Sequence, residues 1–155
     1  MVTNGRMTGT LDGDFVVFII GMRINKIWAV HKWLPVLFAM PKMLKELNSS
    51  SELGLLHHEN WFGRTTISVQ YWRSIEQLLA YAKNNDVQHL PAWEAFNKAV
   101  GSNGSVGIWH ETYQATNGTY ESVYTNMPPF GLGKAGKLEP VGKARETAQQ
   151  RLEIR

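Results

Sequence analysis

The chain has 155 residues, 43% of them hydrophobic and 19% charged, with a formal net charge of +3; that length fits one domain, and that apolar content fills a core and excludes disorder over most of the chain. The six basic residues between Lys134 and Arg155 are spread among three acids, too diffuse for the clustered face that nucleic acid requires. The absence of cysteine removes disulfides, thiolate metal sites and cysteine nucleophiles together.

Residues 1–13 are polar and lack the apolar core of a signal peptide. They are expected to form a flexible N-terminal segment ahead of a domain over 14–130, with 131–155 as a C-terminal arm carrying a charged helix near Arg145–Leu152. Asp14–Asn25 (DFVVFIIGMRIN) is rich in β-branched and aromatic residues and reads as a first strand, buried on both faces over its middle. Val30–Asn48 places Trp33, Leu37, Met40, Leu44 and Leu47 at spacings of four, three, four and three, one helical stripe with a kink expected near Pro41. The apolar runs Phe15–Met22 and Trp33–Met40 fall far short of the roughly 20 residues of a membrane span, so the expectation is a cytoplasmic protein without membrane contact.

Leu53–Phe62 alternates as a second strand, and Gly63-Arg64 makes a tight connection to Thr65–Trp72, where Ile67, Val69 and Tyr71 share one face. Ser74 is a good N-cap for a helix carrying Ile75, Leu78, Leu79 and Ala82. A second short helix is expected to hold Trp93, Phe96 and Val100. Val106–Gln114 and Tyr120–Thr125 then flank Asn117-Gly118, a hairpin signal. The order β-α-β-β-α(α)-β-β describes an α+β fold, a ferredoxin-like split βαβ with one antiparallel sheet and one added strand. Helices on a single face leave the other face apolar and uncovered, which predicts a homodimer.

Without cysteine, histidine is the best soft ligand or acid/base available. His89, Trp93, Phe96 and Val100 fall at i, i+4, i+7 and i+11, one face if helical, where a neutral imidazole suits a haem iron. The alternative is that Pro91 takes the first helical position and His89 stands exposed before it. His110, 21 residues after His89, shares its strand face with Val106, Ile108 and Thr112, while Trp109, Glu111 and Tyr113 face the other way. It is either a satisfied core histidine or a pocket acid/base. His57 and His58 point to opposite faces, one to a surface and one to an interface, and His31 begins the first helix as a capping or surface group. Gly131–Gly136 spells G-x-G-x-x-G, but a dinucleotide site needs that motif between a strand and a helix, with an acid at the end of the next strand, and here it follows Pro128-Pro129 and leads to Leu138-Glu139-Pro140, so it is not a dinucleotide site. An arm with Lys134 could still close over a pocket or meet an anionic group. No nucleophilic triad is readable, and Glu46, Glu52 and Glu59 make no helical metal spacing with any histidine.

The stretch Tyr71–Phe96 (YWRSIEQLLAYAKNNDVQHLPAWEAF), an aromatic-Trp-x-Ser strand end, a helix, and a histidine ahead of an aromatic helix, resembles the dimeric α+β barrel superfamily of small monooxygenase-like proteins. WHETY at Trp109–Tyr113 and NMPPFGLGKAG at Asn126–Gly136 look like an uncharacterised bacterial family within it. Over about residues 70–136 the chain is also similar to the second module of the haem-containing aldoxime dehydratases. His89 falls in the helix that bears their proximal ligand, His110-Glu111 matches their catalytic strand pair, and Tyr120-Glu121 begins a similar next strand. Pro91 departs from that family's uninterrupted helix, and their first module, which supplies a catalytic serine, has no counterpart in these residues. The resemblance implies a haem b enzyme, aldoxime-dehydratase-like or monooxygenase-like, acting on a small hydrophobic substrate. His89 would ligate the iron, Trp93 and Phe96 would lie beside the cofactor, and His110 would serve as distal acid/base. Two other readings stay open. One is a cofactor-free monooxygenase or isomerase of the same fold, its pocket lined by Trp33, Phe38, Trp61, Trp72 and Trp93; the other is a non-catalytic haem or small-ligand carrier.

Overall fold

The computed structural model describes residues 1–83, 101 and 103–152. In chain order the elements are β1 (Thr3–Thr10), β2 (Phe15–Ile24), α1 (Val30–Ser49), β3 (Leu55–Trp61), β4 (Thr65–Trp72), α2 (Ile75–Lys83), β5 (Val106–Ala115), β6 (Tyr124–Met127), α3 (Leu132–Ala135), β7 (Lys137–Pro140) and α4 (Ala148–Arg151). The larger sheet has the order β3-β4-β2-β5 and the smaller β6-β1-β7, all pairings antiparallel. In the larger sheet β4 inserts between β2 and β3, the strands that α1 connects, and β5 flanks β2 on the other side. This is the ferredoxin-like split βαβ. The short helix expected around Trp93, and with it His89 and Phe96, lies outside the described residues.

The strand registers separate the two faces of the larger sheet. Val16, Phe18, Ile20 and Met22 of β2 stand beside Trp72, Gln70, Ser68 and Thr66 of β4 and Gln114, Thr112, His110 and Ile108 of β5. This face receives the helices. Val16, Leu44, Leu47, Trp72, Leu78 and Tyr81 make one core cluster, and Met22, Ile24, Val36 and Val106 a second. Trp72, only 1% exposed, is the anchor: its indole N–H donates to Gln70 Oε1 at 3.0 Å, and Gln70 Nε2 donates to Ser68 Oγ at 3.3 Å. The buried polar residues of β4 thus satisfy one another, as burial in a low-dielectric interior demands. Ser74 caps α2 as expected, its Oγ accepting from the Gln77 amide at 3.2 Å. Gly21 is required in the central strand because a Cβ there would strike the Thr66 carbonyl and come within 2.8 Å of Trp109 Nε1.

Three expectations change. The polar segment before residue 14 contains β1, which pairs with both β6 and β7. Its burial rests on Met7, on Thr8, whose hydroxyl donates to the Ser122 carbonyl, and on Gly9, whose amide donates to Ser122 Oγ. Hydrogen bonds rather than apolar residues hold it, so it leaves no hydrophobic periodicity to read. The Asn117-Gly118 turn forms, with Thr119 N–H donating to the Thr116 carbonyl, but it closes no hairpin. Tyr120 instead packs edge-on against Phe15, with ring centroids 4.8 Å apart, and contacts the Leu11 backbone, which carries the chain across to pair β6 with β1. The sheet expected to be single is therefore two. The glycine-rich segment forms α3 and β7, and its glycines serve close packing: at Gly136 a Cβ would strike the Thr10 carbonyl, and at Gly131 (φ +53) it would lie 3.0 Å from the Tyr71 hydroxyl.

Candidate functional site

Two adjoining cavities lie between the helices and the larger sheet, with Ile20, Met40 and Met43 as common walls. The first, about 410 Å³, is bounded by α1, by Ile20 and Met22 of β2, by Ile108, and by Trp61 and Phe62 at the β3–β4 hairpin. Exposed Pro41, Lys45, Asn48 and Phe62 mark its mouth. The second, about 310 Å³, is bounded by Phe18, Leu47, Gln70, Trp72, Leu78 and Tyr81, and opens where Leu79, His110 and Thr112 are exposed. Both volumes fall in the range of small-molecule sites, and their walls are largely apolar with a few polar groups.

The cavities exist because the alternation of β4 runs opposite to the usual sense. Its polar row, Thr66, Ser68 and Gln70, faces the helices, while Ile67, Val69 and Tyr71 face outward. Short polar side chains under α1 leave room that longer apolar ones would fill. Met40 and Met43 roof that space with flexible thioethers, and Gln70 Nε2 approaches Met40 Sδ at 3.9 Å.

His110 stands at the mouth of the second cavity, its ring centroid 5.8 Å from that of Phe18. It is exposed: this imidazole is not sealed in the core. Glu111 points to the outer face, where it accepts a hydrogen bond from the Tyr113 hydroxyl at 2.6 Å, so His110 and Glu111 do not act as a pair. Among the described residues no group of three or more His, Cys, Asp or Glu could hold a metal ion.

His58 lines the first cavity and is clamped at both ring nitrogens. Nε2 lies 3.0 Å from Asn48 Nδ2, and Nδ1 lies 3.1 Å from Asn60 Nδ2. A neutral imidazole donates from one nitrogen and accepts at the other, so one asparagine must present its oxygen. Burial, reinforced by the neighbouring His57, holds His58 below its ordinary value. It is a neutral wall of the cavity, a role that strand parity alone leaves unassigned.

On the outer face His57 Nε2 meets Glu59 Oε1 at 2.8 Å. Tyr71, its hydroxyl accepting from the Leu132 amide, is pushed above the ordinary phenol range by burial. Phe130 packs edge-on against Trp61 at 6.0 Å, so the segment before α3 covers the β3–β4 part of this face rather than the cavities. Of the expected aromatic lining, Trp61 and Trp72 border the cavities. Phe38 points to solvent, Trp33 packs with the second core cluster and donates to the Ile27 carbonyl, and Trp93 lies outside the described residues. Met40 lies on the helical stripe read from the sequence, whereas Met43, Asn48 and Asn60 have no advance sign there; the polar row of β4 is the signal that could have located the space they enclose.

No described helix is long and apolar enough to cross a membrane. Monooxygenase af470 of Aspergillus fumigatus is 31% identical over 141 residues, covering 85% of this chain and 49% of that protein, so the chain spans about half the length of the curated relative it matches. An aldoxime dehydratase solved in complex with butyraldoxime matches with a TM-score of 0.64 at 15% identity, over 97% of this chain and 42% of that one. A second aldoxime dehydratase structure matches at 0.62 and 14%, over 96% and 44%; at these identities the likeness shows a shared fold. The Monooxygenase af470-like family matches residues 15–132, a span that includes α1, the whole larger sheet, both cavities and His110, and the chain belongs to that family of monooxygenase-like α+β barrel proteins.

Proposed function

We propose that this chain is a monooxygenase-like enzyme that takes a small hydrophobic substrate between α1 and the larger sheet, with His110 as the acid/base at the reacting end. The observation that carries this reading is the placement of His110: the helix-facing row of β5 ends its apolar part at an accessible imidazole over the second cavity. An imidazole there can remove a proton from, or return one to, a bound phenol, oxime or acid. The apolar walls exclude water around the substrate body, and Gln70 supplies a polar contact from the floor. Binding of hydrophobic phenols and acids, read by quenching of tryptophan fluorescence, tests the site. Wild type and His110→Ala are expected to bind alike while only wild type turns substrate over; a protein that binds none of them refutes the reading.

In a haem form of the reading His89 would ligate the iron, Trp93 and Phe96 would lie beside the cofactor, and His110 would serve as the acid/base. The adjoining apolar cavities suit a flat macrocycle, and a haem site asks for only one protein ligand. When bound, haem supplies an iron that takes a nitrogen or oxygen of the substrate. His110 then moves the proton, and the walls around Phe18 and Trp72 orient the substrate body. Protein made with haem supplied is expected to show a Soret band that His89→Ala abolishes; a colourless wild type leaves the cofactor-free form. In either form a second copy of the chain covers the outer face of the larger sheet, giving a homodimer.

A further inference from the structure

We propose that the end of the domain around the mouth of the first cavity docks on an anionic membrane surface. This goes beyond the enzymatic reading and does not depend on the reaction. Between Phe15 and Lys45 the chain has five basic residues, Arg23, Lys26, Lys32, Lys42 and Lys45, and no acid at all. Arg64 joins them in space, since its amide carbonyl and its guanidinium Nε both bond the backbone of Ile24.

Large apolar side chains stand out among these cations. Trp28 is 77% exposed, Ile27 64% and Phe38 57%, and Phe62 at the hairpin tip is 70% exposed. Their exposure is built in. The loop that presents Ile27 and Trp28 is pinned by buried Ala29, by the Trp33 indole donating to the Ile27 carbonyl at 3.0 Å, and by Lys26 Nζ donating to the Asn103 carbonyl at 3.2 Å. Val30, Leu34 and Phe38 follow at helical spacing, on the flank of α1 that carries Leu37, Pro41 and Lys45 of the cavity wall. Phe62 stands at the mouth of the same cavity.

Tryptophan with scattered aliphatic and phenyl groups, ringed by lysine and arginine, is the composition of a surface that lies in the headgroup region of a bilayer. Lysine stems extend along apolar surface while their ammonium groups meet anionic lipid. Each of Ile27, Trp28, Phe38 and Phe62 is more than half bare, so they do not shield one another as the walls of a protein-binding groove would. Lipid accommodates such separate projections. Docking in this orientation turns the cavity mouth toward the bilayer, from which an apolar compound could enter without crossing water. The domain would lie on the surface; it has no described helix that spans one.

The test is co-sedimentation of the purified protein with vesicles of phosphatidylcholine containing phosphatidylglycerol, against vesicles of phosphatidylcholine alone. The wild type is expected to pellet with the anionic vesicles and to be released at about 1 M salt, where the Debye length is about 3 Å. Trp28→Ser combined with Phe38→Ser, and separately Lys32→Glu combined with Lys42→Glu, are each expected to lower the partition about 10-fold or more. All four side chains are outside the core, so circular dichroism should be unchanged. Absence of wild-type binding to anionic vesicles at low salt overturns the proposal, as does equal binding to neutral vesicles or undiminished binding by the variants. It is equally overturned if the Trp28/Phe38 variant changes the oligomeric state in light scattering, which would make the stripe a contact between copies, or if the wild type binds an acidic protein and ignores the vesicles.

Discussion

Ile20 and His110 stand directly opposite one another across β2 and β5, so a histidine on an edge strand belongs to the row that walls both cavities. Among the described residues no hydrogen bond holds its ring, and the row beneath it is apolar. His110→Ala is expected to leave the fold intact, with a stability change within about 0.5 kcal/mol as for other exposed positions. Activity toward an aldoxime or a peroxide is expected to fall about 10²-fold or more. His110→Asn should behave like His110→Ala, because an amide hydrogen-bonds but exchanges no proton near neutral pH. Thermal melts beside turnover measurements check both halves, and an unfolded His110→Ala would return this residue to the core.

The larger sheet was legible in the sequence because its strands carry dense apolar or alternating runs, and α1 and the Ser74 cap because their spacing signals are local. The smaller sheet was not. Its strands β6 and β7 have four residues each, and β1 buries a threonine and a glycine against Ser122, over 110 residues away in sequence. A long-range bond between small polar groups has no periodic trace. The site was half legible. His110 could be assigned its face from parity, but the cavities depend on the polar row of β4 turning inward, whereas a half-buried strand ordinarily turns its apolar row inward. The same inversion explains why Ile67 and Val69 stand on the outer face.

His58 makes the stability of the fold depend on pH. Burial holds the folded imidazole below its ordinary value of 6.5, so on acidification the unfolded chain takes up the proton before the folded one. Stability contributed here is complete above about 6.5 and is lost as the pH falls below it. Urea midpoints measured near neutrality and near pH 5 are expected to differ more for the wild type than for His58→Gln. Equal differences would mean that the clamp by Asn48 and Asn60 does not hold the ring neutral.

The glycine-rich stretch is a clasp between the two sheets. A methyl group at position 136 would meet the Thr10 carbonyl of β1, and one at position 133 would lie 2.7 Å from Leu138 Cδ1. The carbonyl is backbone and cannot swing aside, whereas the leucine tip can. Gly136→Ala is therefore expected to cost about 1–3 kcal/mol, as overpacking of a tight site does, and Gly133→Ala less. Chemical denaturation of both variants checks the order, and Gly142→Ala, with nothing within 4 Å of its Cβ, is the neutral control.

The outer face of the larger sheet carries the last prediction. Ile19 pairs with Val69 on one side and Glu111 on the other, with Val17 and Gly21 before and after it on the same row. The segment around Phe130 reaches only the β3–β4 side of this face, which leaves Ile19 and Val69 partly exposed at the centre of the sheet. Apolar residues on the outward row of a strand whose polar row faces the core make sense if a second protein surface covers them. A second copy, burying about 800 Å² per partner with an apolar centre, meets the size of a stable interface. Light scattering at micromolar concentration is expected to give a dimer for the wild type and a folded monomer for Ile19→Lys, since the substituted side chain lies outside both core clusters. A wild-type monomer would show that the outer face stays open, and a dimer that survives Ile19→Lys would place the contact elsewhere.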